Sequence, residues 1–313
     1  MEKGVICPLS AVRRPRQGII LIVVLFLILI LGIVILQFGV LVKYEKTIAA
    51  NRAGYLKAMY TVESKLETAK LAILKQKSPS VSRTDELTER ESGTGGLTRK
   101  TAIPGVTITD ASSRLNINMI VDRRGKVNDG LKVALENLLT EIDGDPGLVE
   151  IIIDFIDRDD DGKHEKGALN RPLQNITELG LIPEIQSKNL KKQADDDNPG
   201  LFDLLTVFSR GRININTAPR ELLISIAVNR TYEKAVANII ERRDEEPFEK
   251  INSIYEVPGV SRGMFGDFEK SLITDPSVFI VDVTVKEGNI TCRARAVFEK
   301  LSRNVRMLFF HAE

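Results

Sequence analysis

Residues 19–42 constrain this chain more than any other stretch, being 24 consecutive positions without a charged side chain. As a helix they would reach roughly 36 Å at about 1.5 Å per residue. That is enough to cross a bilayer core of about 30 Å with some tilt. Arg13, Arg14 and Arg16 stand just before the run, and no arginine stands directly after it. The asymmetry predicts a cytoplasmic N-terminus and puts everything beyond Val42 on the far side of the membrane. Taken alone, the stretch describes an uncleaved signal anchor.

Gly18 changes that reading, because it sits between the basic cluster and the apolar run. A secretory signal peptide is cut after its apolar region, at small residues. Here the chain continues past Val42 as Lys43-Tyr44-Glu45-Lys46, with no such site. A short basic leader ending in glycine, with the apolar helix kept behind it, resembles a type IV prepilin. The resemblance implies cleavage between Gly18 and Ile19 by a membrane prepilin peptidase. It also implies a glutamate at the fifth mature position, where this chain has Val23.

The leader carries a net charge of +3, so the overall +1 becomes −2 once residues 1–18 are removed. An almost neutral body argues against nucleic acid or an anionic membrane surface as a partner held by bulk charge. Of the two cysteines, Cys7 lies in the leader and Cys292 would stand alone, so one mature chain has no disulfide framework. On an alternating strand, Cys292 reads as a small buried residue. His164 and His311 are too far apart to suggest a zinc motif. The chain has no nucleophile-elbow serine and no phosphate-binding glycine loop, so nothing in it points to an enzyme.

Past the apolar run, Tyr55, Met59, Val62, Leu66, Ala69 and Ile73 recur at three- and four-residue steps. They predict that one helix runs from 19 to about 77, half in membrane and half packed on a domain, until Pro79 stops it. Residues 78–100 are rich in Ser, Thr, Gly and charge and read as a linker. Strands are clearest at the C-terminus. Residues 278–285 are nearly all β-branched or aromatic, and Glu287-Gly288-Asn289 supplies a turn. Cys292, Ala294, Ala296 and Phe298 then alternate with Thr291, Arg293 and Arg295, whose charged face reads as a solvated sheet surface. Residues 305–310 and 106–109 can add further strands.

The intervening region contains an internal repeat. Arg114-Leu115-Asn116-Ile117-Asn118 recurs as Arg212-Ile213-Asn214-Ile215-Asn216. Each copy is followed by an apolar helix (131–139, 221–228), then by a helix ending in charge (149–157, 235–244). Pro172-Leu173-Gln174-Asn175-Ile176 then matches Pro247-Phe248-Glu249-Lys250-Ile251. The shared order makes two small all-α units, each introduced by a short strand, the simplest reading.

Relative to the second copy, the first holds about 12 additional residues after Asp157. Asp157, Asp159 and Asp161, followed by Gly162, have the alternate-carboxylate spacing of a calcium loop, with Glu165 nearby. A full EF-hand would need a bidentate glutamate where this chain has Ala168, so a partial calcium site is the expectation and a solvated acidic loop the alternative. A second constellation joins Ile215-Asn216-Thr217-Ala218-Pro219 to Val257-Pro258-Gly259-Val260, which looks like the helix-hairpin-helix units of membrane-anchored DNA receptors. Such hairpins bind phosphate through backbone N–H groups at a Gly-x-Gly turn before a helix. The first turn here, Ala227-Val228-Asn229-Arg230, has no glycine, and Glu241, Asp244, Glu245 and Glu246 would repel phosphate.

Together these features resemble the minor pseudopilin K family of type II secretion across nearly the whole chain. The matching pieces are the leader to Gly18, Val23, the run 154–160, Thr177-Glu178-Leu179, the segment 214–218 and the C-terminal strands. The family usually continues its acidic loop as Gly-Ala-Glu, where this chain reads Gly167-Ala168-Leu169, so Glu165 would have to substitute as a ligand. The resemblance implies an α+β fold, with a pilin-like N-terminal helix on an antiparallel sheet (101–126 and 274–313). A large all-α domain of two helix-hairpin-helix or SAM-like units (127–273) would be inserted in it. It implies a non-enzymatic subunit, single-pass in the inner membrane with its C-terminal domain periplasmic, that caps the pseudopilus and helps start its assembly. The implied partners are I- and J-type minor pseudopilins, the major pseudopilin, the prepilin peptidase and the inner-membrane assembly platform, and calcium is the implied ion. A membrane-anchored DNA receptor of a competence or pilus system is the alternative.

Processing tests the leader directly. Co-expression with an active prepilin peptidase should yield a chain whose intact mass begins at Ile19. Gly18→Leu should block the cut, because a side chain obstructs the backbone's access to the peptidase. A chain still beginning at Met1 beside active peptidase would contradict the assignment.

Overall fold

The computed structural model describes residues 17–75, 88–89, 99–101, 103–159, 162–164, 166–187 and 199–313. The leader residues before Gln17 lie outside the described residues, as do Pro79, Asp160, Asp161 and Glu165.

Helix α1 (Gln17–Lys75) is one unbroken element of 59 residues. The chain divides into two compact units, Met1–Lys57 and Ala58–Glu313. In the first, every side chain from 19 to 53 is exposed, the apolar ones included, and the helix is long and apolar enough to cross a membrane. Leu and Ile side chains left facing water would each forgo about 1.5–3 kcal/mol of burial, so this half is suited to an apolar surround such as lipid. In the second unit, Ala58, Val62, Leu66, Ala69 and Ile73 are buried along one stripe. Their three- and four-residue steps put them on one helix face.

That stripe packs on a six-stranded antiparallel sheet ordered β1 (Thr88–Glu89), β2 (Arg99–Thr101), β3 (Val106–Asp110), β8 (Val278–Glu287), β9 (Ile290–Lys300) and β10 (Val305–Ala312). The helix-side face is formed by Val106, Ile108, Phe279, Val281, Val283, Val285, Cys292, Ala294, Ala296 and Phe298. Cys292 is buried as expected, its thiol 3.5 Å from the Met59 sulfur. Gly105 turns the chain into β3 at φ +71, where a Cβ would meet the Thr284 carbonyl oxygen at 2.4 Å, so no other residue fits there.

Two expectations change. Strands β1 and β2 fall inside the stretch read as a linker, because polar residues on a sheet edge form strands without an apolar signature. The opposite sheet face is also only partly solvated. Val278, Ile280 and Val297 are buried there beneath the partly buried Phe208 and Phe309, while Thr284, Thr291 and Arg293 stay exposed.

Everything between β3 and β8 is an insertion whose two ends are neighbours, since Asp110 pairs with Phe279 across those strands. Within it, β4 (Leu115–Asn116) pairs in parallel with β5 (Leu205–Thr206), and β6 (Ile213–Asn214) pairs in parallel with β7 (Leu272–Ile273). Each repeat therefore opens and closes on a two-residue parallel pair. Helices α2 (Asp129–Glu141), α3 (Leu148–Ile156), α4 (Pro183–Ser187) and α5 (Leu201–Leu204) belong to the first, and α6 (Arg220–Ser225) and α7 (Glu233–Glu245) to the second.

The duplication extends to hydrogen bonds. Asn118 donates from Nδ2 to the Leu173 carbonyl at 2.8 Å and accepts from the Leu173 N–H at 2.8 Å. Asn216 repeats both bonds with Phe248, each at 2.9 Å. The preceding asparagines, Asn116 and Asn214, each accept from the N–H two residues on at 3.0 Å. An asparagine amide offers a donor and an acceptor side by side, which is what one peptide unit needs for a two-point clamp. Leu115, Ile117 and Ile120 pack in the core of this α region. The opening motif belongs with the copy it introduces.

Candidate functional site

At the N-terminal end, Gly18 and Ile19 lie in the first turn of α1 and Val23 lies one turn further, about half exposed. The fifth position after Gly18 is thus an apolar side chain on an apolar helix surface.

The acidic loop leaves the end of α3 and is pinned at its neck. The Phe155 carbonyl accepts from Leu169 N–H at 3.0 Å and Asn170 N–H at 3.3 Å, and the Asp154 carboxylate accepts from His164 N–H at 2.9 Å. Asp157 caps α3 and is buried, and Asp159 is exposed beside Gly125 of the 121–127 turn. In that turn the Asp122 carboxyl is held below its usual range by the backbone N–H groups of Lys126 (3.0 Å) and Arg124 (2.7 Å). Asp161 and Glu165 lie outside the described residues, and no group of three metal-binding side chains forms among the described ones. The structure thus places Asp157 and Asp159 near the neck of one loop, and both offer hard oxygen donors suited to calcium.

In the second repeat the turn at Val228 and Asn229 leads through Arg230–Tyr232 into α7. Glu233 opens that helix and pairs with Arg220. A carboxylate therefore occupies the helix N-terminus, where a phosphate would otherwise be favoured. Gly259, at φ +85, packs on Ala235, and Asn238 donates to the Pro258 carbonyl at 2.8 Å. This turn is a packing joint.

Two carboxylates join the α region to the sheet, and sequence reasoning missed both. Asp110, at the end of β3, accepts from Ser112 N–H at 2.6 Å on one oxygen. Its other oxygen accepts from Asn214 Nδ2 at 2.8 Å and Thr217 Oγ1 at 2.7 Å, both in the second repeat. Glu299 on β9 is buried between Arg306 of β10, at 2.6 Å, and Arg210 of the segment joining the repeats. Burial alone would push the Glu299 carboxyl up, but the Arg306 and Arg210 guanidiniums outweigh it and hold the group below its ordinary value. The one available signal was for Asp110, the single charge at the end of β3.

This architecture defines a class, a pilin-like subunit whose spine helix starts as an apolar anchor and ends on an antiparallel sheet. The family is indicated by the second repeat, since residues 213–274 match the family described as Type II secretion system (T2SS), protein K. A chain in the crystal structure of the GspK-GspI-GspJ complex from the enterotoxigenic Escherichia coli type 2 secretion system shares the fold. Its TM-score is 0.60 at 14% identity, over 85% of this chain and 99% of that one. No curated protein sequence matches the chain. The family match and the fold support the reading of this chain as a type II secretion pseudopilin K, a structural component of a secretion system.

The Glu299 joint has a pH signature. A carboxyl whose folded value is depressed contributes stability that is fully present above its unfolded value, about 4.3, and is lost as pH falls through the folded value. Glu299→Gln should lower stability by about 1–2 kcal/mol at pH 7, measured by urea unfolding. The gap from the unsubstituted protein should narrow steadily below about pH 4. A pH-independent gap would mean that the carboxylate's charge contributes nothing.

Proposed function

We propose that this chain is a minor pseudopilin that caps a type II secretion pseudopilus and helps begin its assembly, and that it has no enzymatic role. The observation that carries the proposal is the protein K match over the second repeat, inside a chain whose first and last parts form a pilin spine and sheet. The anchor would be single-pass in the inner membrane, with residues beyond Val42 in the periplasm. The two repeats would be SAM-like, helix-hairpin-helix units kept for packing. The DNA-receptor reading is disfavoured by Glu233 at the head of α7.

The tip position follows from Val23 and the inserted region. In a pilin-like fibre each new subunit enters beneath its predecessor, and its fifth-position glutamate neutralises the free amine of the subunit above. In low dielectric an unpaired carboxylate is costly, so a subunit with nothing above it is better served by valine. The bulk of the α region would also obstruct a subunit stacked above. The solved relative is named as part of a complex with GspI and GspJ, so I- and J-type pseudopilins are the partners proposed here, with the major pseudopilin below. The prepilin peptidase and the assembly platform would act before incorporation.

Calcium is proposed as a stabilising ion of the acidic loop. Asp157, Asp159, Asp161 and Glu165 would hold it, and its charge would relieve the repulsion among carboxylates crowded into nine residues. Saturating calcium at a hundredfold excess over its Kd should then stabilise the protein by about 2.7 kcal/mol. The double substitution Asp159→Ala with Asp161→Ala should abolish the calcium-dependent rise in Tm. Identical melting in calcium and in chelator would leave the loop as solvated surface.

Co-expression with I- and J-type pseudopilins and purification in detergent tests the main proposal. The expected product is a complex with one copy of each chain and no polymer of this chain alone. Purification free of both partners would contradict it.

A further inference from the structure

Helix α1 leaves its uncharged run at Val42 and enters a stretch of opposite character. Residues 43–57 hold Lys43, Lys46, Arg52 and Lys57 against Glu45 alone, a net of +3. The chain from Ile19 onward carries −2 and residues 19–42 carry none, so subtracting that +3 leaves −5 for residues 58–313. The total is near neutral only because a positive collar and a negative remainder cancel. Every side chain from Lys43 to Ala53 is exposed. Among the described residues Lys43, Lys46 and Arg52 have no ion pair, and Thr47 Oγ1 donates to the Lys43 carbonyl at 2.9 Å without engaging its ammonium.

Covalent continuity with the apolar run fixes what this collar meets. At about 1.5 Å per residue, Lys43 and Lys46 stand roughly 1.5 and 6 Å beyond Val42 along the helix. The headgroup layer on each side of a bilayer core is about 5–7 Å thick, so both lysines and Tyr44 fall within it. Arg52, about 15 Å out, is one screening length of about 8 Å from its outer margin. Side chains on a helix lean toward its N-terminus, which here is the membrane side. Lys43 and Lys46 are three positions apart on one face, close enough to flank a single phosphodiester, while Glu45 is two positions from Lys43 and projects elsewhere. A zwitterionic headgroup carries its own cation beside the phosphate, whereas phosphatidylglycerol does not, so the collar distinguishes the two. An acidic protein segment is disfavoured, because it would have to displace headgroups to reach these ammoniums.

We infer that Lys43 and Lys46, with Arg52 behind them, bind the phosphates of anionic phospholipids in the leaflet where α1 leaves the membrane. The lysines supply the contacts and Arg52 adds to the field that draws anionic lipid in. The inference rests on reading residues 19–42 as the membrane anchor, and it names the lipid class that surrounds the anchor's far end.

The test places a photo-crosslinking amino acid at Thr47, beside both lysines, or at Leu36 inside the apolar run. The full chain is reconstituted in mixed bilayers of phosphatidylethanolamine and phosphatidylglycerol, and lipid adducts are identified by intact mass. Position 47 should favour phosphatidylglycerol over its share of the bilayer by about fivefold, the factor that one cation near an anionic surface contributes. Lys43→Gln with Lys46→Gln should return the adducts to the bulk ratio, and Lys43→Arg with Lys46→Arg should keep the preference. Raising the salt to about 1 M, where screening acts within about 3 Å, should weaken it. Adducts at the bulk ratio in the unsubstituted chain, a preference that survives the glutamine pair, or adducts to protein at 47 overturn the inference and leave the anchor reading standing. No lipid adduct at either 47 or 36 overturns both.

Discussion

The buried stripe of Ala58, Val62, Leu66, Ala69 and Ile73 is the contact on which the rest of the structure depends. An apolar helix alone is only an anchor. Continued without a break onto a sheet whose helix-side face is Val, Ile, Phe, Ala and Cys, the same helix becomes a spine. Two of the five stripe residues are alanine, which lets helix and sheet approach closely. The sheet has two faces to satisfy, and it does so unequally. One is covered by α1 over β3, β8 and β9, while the other is covered where Ala111 and Phe208 pack on it and Arg210 reaches Glu299.

That partial cover is how the inserted region is held. The second repeat and the segment joining the repeats touch the sheet through Asp110, Glu299, Phe208 and Phe309, whereas the first repeat is tied to the second by Asn137 bonding the Ser225 carbonyl and Arg230 pairing with Glu141. Both repeats also share one continuous apolar core. The family match falls on the second repeat, the copy whose Asn214 and Thr217 bond Asp110 of the sheet.

Much of this was legible from residue order. Period-two alternation over 290–298 marked β9 and its buried face, and three- and four-residue steps marked the stripe. The duplicated Arg-x-Asn-Ile-Asn motifs foretold paired units, because an asparagine clamp leaves a local signature. The Asp110 and Glu299 joints were not legible, since their partners lie 89 to 107 positions away and no local period encodes them. The covered half of the outer sheet face was hidden for a related reason. Val278, Ile280 and Val297 look like ordinary strand residues until Phe208 arrives from a distant segment. Of the four proposed calcium ligands, Asp157 and Asp159 fall where the structure describes them, close to the loop's neck.

In the proposed tip position this subunit accepts neighbours below and none above, because Val23 offers no carboxylate to an overlying amine and the α region would obstruct a subunit stacked there. Gold labelling of a tag at the C-terminus, on pseudopili assembled with the full set of pseudopilins, reads this directly. Label is expected at one end of each fibre, with bare shafts. Label repeating at regular intervals along the shaft would contradict it.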